Sequence, residues 1–381
     1  MIGKVNVSRM EGHMKAFLFF LTLALAIFTV SCQEEVKVYR IGAVIPLSGS
    51  AEAYGRNVEH GLKLALEQIN EKGGVKGKKL DIFIEDDRSD EKVAVQKVNQ
   101  LIKGSGVPII IGGVTSNIAL AMAPVCEKNK VVLLSSTATS PKLTGIGQYF
   151  FRNYPSDTLE GQVMAQYAIR RMRIRSVATL YIDAEYGQGI TKVFHDRFQE
   201  LGGTVSYEKA YPAGTQDFSG YIKEIKAAAP DGIYLPGYYT EIAAILNEIK
   251  KQKLQAKIMS VQGMATPMML EIAGEAAEGV VYPQPPFDPE SDNPNIKAFV
   301  SAFRSKFPTK PDVDAAFSYD ALHIVARAIE NSVNYPEDLR ARIADTNYRG
   351  ITGDVTFTTG GDVDIRPRMF QVKGGQFVPL E

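Results

Sequence analysis

The chain has 381 residues, 45% hydrophobic and 23% charged, with 43 basic and 43 acidic side chains. That length supports two domains with full cores, and the composition is ordinary for a globular protein. Balanced charge argues against nucleic acid as a partner and leaves no acidic block to solvate a tail; two cysteines, Cys32 and Cys126, make no disulfide framework.

At the N-terminus Lys15 precedes an uncharged run, Ala16 to Val30, rich in Leu, Phe and Ala. The run is short for a spanning helix and suits a secretory h-region. Residues 1–31 therefore read as a signal peptide, with Met14-Lys15 as a typical leader start. The run closes on Thr29-Val30-Ser31-Cys32, which resembles a lipoprotein signal whose cysteine is acylated, although Thr29 stands where leucine is usual. The expectation is an exported protein, periplasmic or at the cell surface, lipid-anchored at Cys32. No second membrane segment follows in the sequence.

From Val38 the pattern alternates strands and helices. Val38 to Ile45 reads as a strand, Asn57 to Ile69 as a helix ended by Lys72-Gly73-Gly74, Leu80 to Glu85 as a strand and Asp90 to Ile102 as a helix. Val107 to Ile111 is an apolar strand stopped by Gly112-Gly113; Thr115-Ser116-Asn117 opens the next helix, and Val131 to Leu134 is a buried strand running into Ser135-Ser136-Thr137-Ala138-Thr139-Ser140-Pro141. This β-α-β-α-β-α-β order predicts a parallel sheet covered by helices. After a strand at Tyr149 to Arg152 the pattern restarts near Asn153-Tyr154-Pro155. Helices at Thr158 to Met172, Tyr186 to Leu201, Asp217 to Ala229 and Thr240 to Lys251 alternate with strands at Ser176 to Ile182, Thr204 to Lys209, Gly232 to Leu235 and Lys257 to Ser260. Gly279 to Tyr282 is apolar before Pro283-Gln284-Pro285-Pro286. Helices then run Asn295 to Phe307, Asp314 to Asn331 and Glu337 to Ala344, with tail strands at Asp354 to Phe357, Met369 to Lys373 and Gln376 to Val378. The fold class is α/β, two doubly wound parallel-sheet units.

Motifs for catalysis are missing. There is no G-x-S-x-G, H-E-x-x-H, G-K-[ST] phosphate loop or G-x-G-x-x-G after the first strand. His60, His195 and His323 fall in predicted helices and read as structural. Glu85-Asp86-Asp87 with Asp90 could bind a metal, but a solvated loop and a helix cap explain them more simply; Cys126 reads as a core residue. No cofactor is indicated, and an enzyme is not expected. What remains is hydroxyls and tyrosines at strand ends. In an open parallel sheet, ligands bind in the crevice beyond the carboxyl ends of the strands, and a helix N-terminus there attracts an anion. Ser116 and Thr139 thus mark a pocket for a carboxylate held without a formal positive charge. Tyr54, Tyr186, Tyr238 and Tyr239, also just past strands, supply apolar faces with polar tips.

These stretches resemble the branched-chain amino-acid-binding (leucine/isoleucine/valine-binding) family of ABC-importer solute receptors. The resemblance is carried by Ala43-Val44-Ile45-Pro46-Leu47-Ser48-Gly49, Tyr54-Gly55, Ile69-Asn70-Glu71-Lys72-Gly73-Gly74-Val75, Thr137-Ala138-Thr139-Ser140-Pro141-Lys142-Leu143-Thr144, Tyr186-Gly187-Gln188-Gly189 and Ile272-Ala273-Gly274-Glu275-Ala276-Ala277-Glu278-Gly279. It implies a type I periplasmic binding fold, with lobes at 36–153 plus 286–361 and 154–285 plus 362–381. Three crossing strands near Asn153, Pro283 and Asp362 would join them. It also implies a monomer that delivers a small amino acid or carboxylate to an ABC permease. Ser116, Thr139 and backbone groups at Thr137 and Ala138 would hold the ligand carboxylate, Tyr54 would cover its side chain, and Tyr186 and Tyr238 would close from the second lobe. The family's ammonium-pairing glutamate aligns with Gln262, which has no charge. Either another acid substitutes, with Glu241 and Asp183 as candidates, or the ligand is an aromatic or aliphatic acid, an amide or urea. Cysteines that pair in some relatives align with Ser89 and Thr115, so that disulfide is not expected.

Overall fold

The computed structural model describes residues 38–380; the expected signal peptide and Cys32 lie outside them. Within the compact unit that begins at Tyr39, the first sheet contains β1 (Tyr39–Ile45), β2 (Leu80–Asp86), β3 (Ile109–Gly112), β4 (Val132–Ser135) and β5 (Phe150–Arg152), all parallel and ordered β2-β1-β3-β4-β5. Helices α1 (Glu52–Glu71), α2 (Glu91–Gln100) and α3 (Ser116–Asn129) make the crossovers. Ile41, Ile109 and Leu134 are enclosed on one side of the sheet, Val44, Ile110 and Leu133 on the other. Strands with apolar residues on both faces are the mark of a sheet covered twice.

The second sheet repeats the plan. Helix α4 (Asp157–Arg170) leads into β6 (Ser176–Ile182), α5 (Glu185–Glu200), β7 (Thr204–Tyr211), α6 (Ser219–Ala228), β8 (Gly232–Leu235), α7 (Tyr239–Lys251), β9 (Lys257–Ser260), the short α8 (Pro267–Ala273) and β10 (Val281–Gln284). The parallel strands run β7-β6-β8-β9-β10, the same winding as the first sheet. The chain then supplies α9 (Pro294–Lys306), α10 (Val313–Asn331) and α11 (Leu339–Ala344), and α9 and α10 pack on α1. A hairpin of β11 (Asn347–Arg349) and β12 (Asp354–Thr356) follows. Finally β13 (Arg368–Lys373) and β14 (Gln376–Pro379) add an antiparallel edge beyond β10.

The chain thus passes between the two sheets three times: after β5, after β10 and between β12 and β13. The third passage runs beside the first, where the Arg152 amide donates to the Gly361 carbonyl at 2.9 Å. Two elements depart from the sequence reading. Helix α1 begins five residues before Asn57, which puts Tyr54 and Gly55 inside the helix; Gly55 lies so close to the Pro46 carbonyl that a Cβ would meet it at 1.7 Å. Helix α8 has no counterpart in the sequence reading, although Thr266 caps it, accepting from Met269 N at 3.1 Å, and Pro267 opens it. Cap followed by proline is a helix-start signal. Cys126 is enclosed in α3, its thiol pushed up to about 12 by burial.

Candidate functional site

The site begins where β3 and β4 end side by side. After β3 the chain turns at Gly112 and Gly113, with φ +149° and +68°; a Cβ on Gly112 would lie 2.1 Å from the Val44 carbonyl oxygen. Only glycine admits that approach, and it lets α3 start immediately, with Ser116 in its first turn. The loop after β4 folds back over this helix start. Ser135 Oγ donates to Gly113 O at 3.1 Å and accepts from the Ala138 amide at 3.1 Å; Thr137 Oγ1 donates to Val114 O at 2.8 Å. The amides of Ser140 and Thr139 reach Ser116 Oγ at 3.1 and 3.4 Å. A hydroxyl has two lone pairs and one proton. Both lone pairs of Ser116 are engaged, so its proton is left for an acceptor in front of it, at the positive end of α3.

Arg152, at the end of β5, fixes the rest of this loop. It is fully buried; Nη1 donates to Ser140 O at 2.9 Å, Nη2 to Thr144 Oγ1 at 2.9 Å, and Nε pairs with Asp362 Oδ1 at 2.6 Å.

The opposing wall comes from the strand ends of the second sheet. Tyr186 lies in the first turn of α5, Tyr238 is the residue before α7, and Gln262 and Gly263 form a short turn after β9. Tyr186 and Tyr238 stack with ring centroids 5.5 Å apart. Tyr54, from α1, reaches across. Its phenol donates to Gly263 O at 2.5 Å and accepts from the Tyr239 amide at 3.2 Å, and its ring packs on Tyr238 and Tyr239 at 5.9 and 5.5 Å. Between the walls lies about 400 Å³ of empty space, some of it open to solvent.

Of the residues picked from sequence, Tyr54, Ser116, Thr137, Thr139, Tyr186, Tyr238 and Gln262 all line this cavity. Ala138 does not; it is buried behind the wall, its carbonyl accepting from Arg152 Nη1 at 3.4 Å. Glu241 and Asp183 do not line it either, which goes against one of the two alternatives, that one of them substitutes for the missing glutamate. Glu241 accepts from the Gly214 amide at 3.0 Å and from Thr240 Oγ1 at 2.5 Å, fixing the turn after β7, and Asp183 accepts from Gln188 Nε2 at 2.8 Å on the surface. Sequence reasoning missed Asp314, in the first turn of α10, which lines the cavity and is 4% exposed. It also missed Asp157 and Glu160 in the first turn of α4. Asp157 is enclosed with neither oxygen hydrogen-bonded, and Glu160 accepts from the Gln262 amide at 2.9 Å. Burial pushes Asp157 up to about 7, and raises Glu160 and Asp314 as well.

The acidic cluster after β2 is architectural. Asp86 accepts from the Leu47 and Arg88 amides and Ser48 Oγ, Glu85 pairs with Lys97 at 2.6 Å, and Asp90 caps α2. Among the described residues no group of side chains has a metal-holding arrangement, and no helix is long and apolar enough to cross a membrane. His60 stacks on Phe307, His195 Nε2 meets Thr179 Oγ1 at 2.8 Å, and His323 packs against Tyr319; none lines the cavity.

Two sheets whose parallel strands wind alike, with hydroxyls on one wall of a shared cavity and tyrosines on the other, define a cleft receptor for a small solute. The chain belongs to the periplasmic binding protein family, which it matches over residues 38–376. Members of this family are solute-binding receptors, not enzymes. The chain is 28% identical over 356 residues to a leucine-, isoleucine-, valine-, threonine- and alanine-binding protein of Pseudomonas aeruginosa, covering 93% of this chain and 94% of that one. It superposes on the leucine-binding protein of Thermotoga maritima with TM-score 0.84 at 30% identity, covering 90% of this chain and 97% of that one. For a branched-chain amino acid transporter substrate-binding protein of Streptococcus pneumoniae, in complex with isoleucine, the TM-score is 0.85 at 26% identity, covering 90% and 99%.

Proposed function

We propose that the protein is an extracytoplasmic receptor that captures an apolar, branched-chain-type amino acid and hands it to an ABC permease. The observation that carries this reading is the Ser116 hydroxyl. It is fixed by two backbone amides, faces a cavity walled by tyrosines, and stands at a helix N-terminus. A carboxylate there receives a charge-assisted hydrogen bond from Ser116 and a second from Thr139. Tyr54, Tyr186 and Tyr238 cover the apolar part. The Pseudomonas relative, a leucine-, isoleucine-, valine-, threonine- and alanine-binding protein, and the Streptococcus protein in complex with isoleucine support the amino-acid class.

In this reading the lobes are residues 36–153 with 286–361 and residues 154–285 with 362–381. The first lobe holds the carboxylate cradle and the second closes on it, stabilised by ligand contacts made only when closed. The receptor acts as a monomer, is exported by the 1–31 leader and is anchored through Cys32. Calorimetry tests the site: Ser116→Ala and Thr139→Ala should each weaken carboxylate binding at least tenfold, and unchanged affinity in both refutes it. The uncharged Gln262 in the cavity wall favours a second reading, a ligand without an amino group; a thermal-shift panel of amino acids against deaminated carboxylates separates the two.

A further inference from the structure

The cavity is bordered by acids and supplied with no base. Asp314 lines it, Glu160 is bonded to the amide of cavity-lining Gln262, and the Asp157 amide donates to the carbonyl of cavity-lining Thr139 at 2.9 Å. Among the described residues no lysine, arginine or histidine forms an ion pair with any of the three. Arg152, the one base whose charge acts on Asp157, is committed to Asp362 and to the carbonyls of the cradle loop. Asp314 differs from the other two. Glu160 is occupied by Gln262, and Asp157 does not line the cavity, whereas Asp314 lines it and its carboxyl accepts no hydrogen bond from any described residue. Its neighbour Asp312 is a structural cap, accepting from the Ala315 amide at 3.0 Å and from Asn57 Nδ2.

A carboxyl group so enclosed and unpartnered is costly as an anion until a positive charge arrives. Burial, with the charge of Asp312 added, holds its pKa above the ordinary carboxylate range. The aromatic faces of Tyr54, Tyr186 and Tyr238 in the same cavity offer a cation further electrostatic attraction.

We propose that the ligand carries a protonated amino group and that Asp314 is its counter-charge, in the role that Gln262 cannot fill. The inference rests on the amino-acid reading and deepens it. The carboxylate is held by hydroxyls at the start of α3, the ammonium by a carboxylate at the start of α10, and the site accepts a zwitterion with both charges answered. Gln262 is then left to form the wall through Glu160 rather than to bind charge.

The test is calorimetry on wild-type protein and Asp314→Asn, using the L-amino acid that binds best among the twenty and its 2-hydroxy analogue, which lacks the ammonium. Asp314→Asn should weaken amino-acid binding at least 100-fold while binding the 2-hydroxy acid as well as wild type or better. Should that variant not fold by circular dichroism, Asp314→Ser gives the same reading. Amino-acid affinity within threefold of wild type in a folded variant overturns the role of Asp314 and leaves the amino-acid reading standing. Wild-type protein that binds the 2-hydroxy acids and no amino acid overturns both.

Discussion

Arg152 and Asp362 form an ion pair 2.6 Å long, with the guanidinium fully enclosed and the carboxylate 13% exposed. It joins the last strand of the first sheet to the third passage of the chain, and the same guanidinium holds the carbonyls of Ala138 and Ser140. Removing one partner of a buried pair strands the other charge, at about 3–5 kcal/mol. Asp362→Ala should therefore lower the unfolding free energy by about 3 kcal/mol in urea titration. It should also weaken ligand binding, because the cradle loop loses its anchor.

Tyr54 crosses the cleft with two hydrogen bonds, to Gly263 O and from the Tyr239 amide. Both join segments that the proposed reading assigns to opposite lobes. Tyr54→Phe keeps the ring packing and leaves a carbonyl and an amide unpaired in the closed cleft, a loss of about 1–3 kcal/mol. Ligand affinity should fall about tenfold with unfolding stability nearly unchanged. Small-angle scattering of the saturated variant should still show full closure.

Gly263, whose carbonyl takes the Tyr54 hydrogen bond, has no room for a side chain against Gly237 and Tyr186. A Cβ there would lie 2.8 Å from Gly237 O and 3.0 Å from Tyr186 Oη. Gly263→Ala should displace Tyr186 from its stack on Tyr238 and lower affinity more than Tyr54→Phe does, as measured by calorimetry.

Asp157 sets a pH dependence. Unfolded, it ionises near its ordinary value of 3.8; folded, burial holds its proton to about 7. Across that window the unfolded chain binds fewer protons, so stability falls as pH rises from about 4 to about 7 and is level above. Buried His323, lowered to about 4, works in the opposite sense, but it is common to wild type and variant and cancels in their difference. Asp157→Asn should match wild-type stability near pH 3.5. It should then gain on it progressively, by on the order of a few kcal/mol at pH 7.5, read from urea titrations at each pH. A difference that is flat with pH overturns the assignment.

Most of the framework was legible because its signals are local. Strands such as Gly232–Leu235 and Lys257–Ser260 are short apolar runs bounded by turns, and they form where their pattern places them. The hydroxyl cradle was legible because Ser116 and Thr139 follow adjacent strands of a parallel sheet, so topology alone brings them together. The acids were not. Asp314 and Asp157 stand where helix-start acids ordinarily cap or favour the dipole, and nothing local distinguishes them from Asp312, which does cap. Their burial is a product of packing between segments more than 150 residues apart, as when Asn153 Nδ2 donates to Phe317 O at 2.8 Å. Arg152 was hidden for the same reason. Glu241 misled because its position early in α7 resembles a cleft residue, while its carboxylate turns back to the Gly214 amide.

The inert thiol of Cys126 has a practical consequence. Maleimide chemistry proceeds through thiolate, and a sulfhydryl 1% exposed with its pKa near 12 supplies almost none at neutral pH. A fluorophore attached to a single cysteine introduced at the rim of the cleft would label without competition from Cys126, turning the folded body of the receptor into an optical reporter of its own ligand.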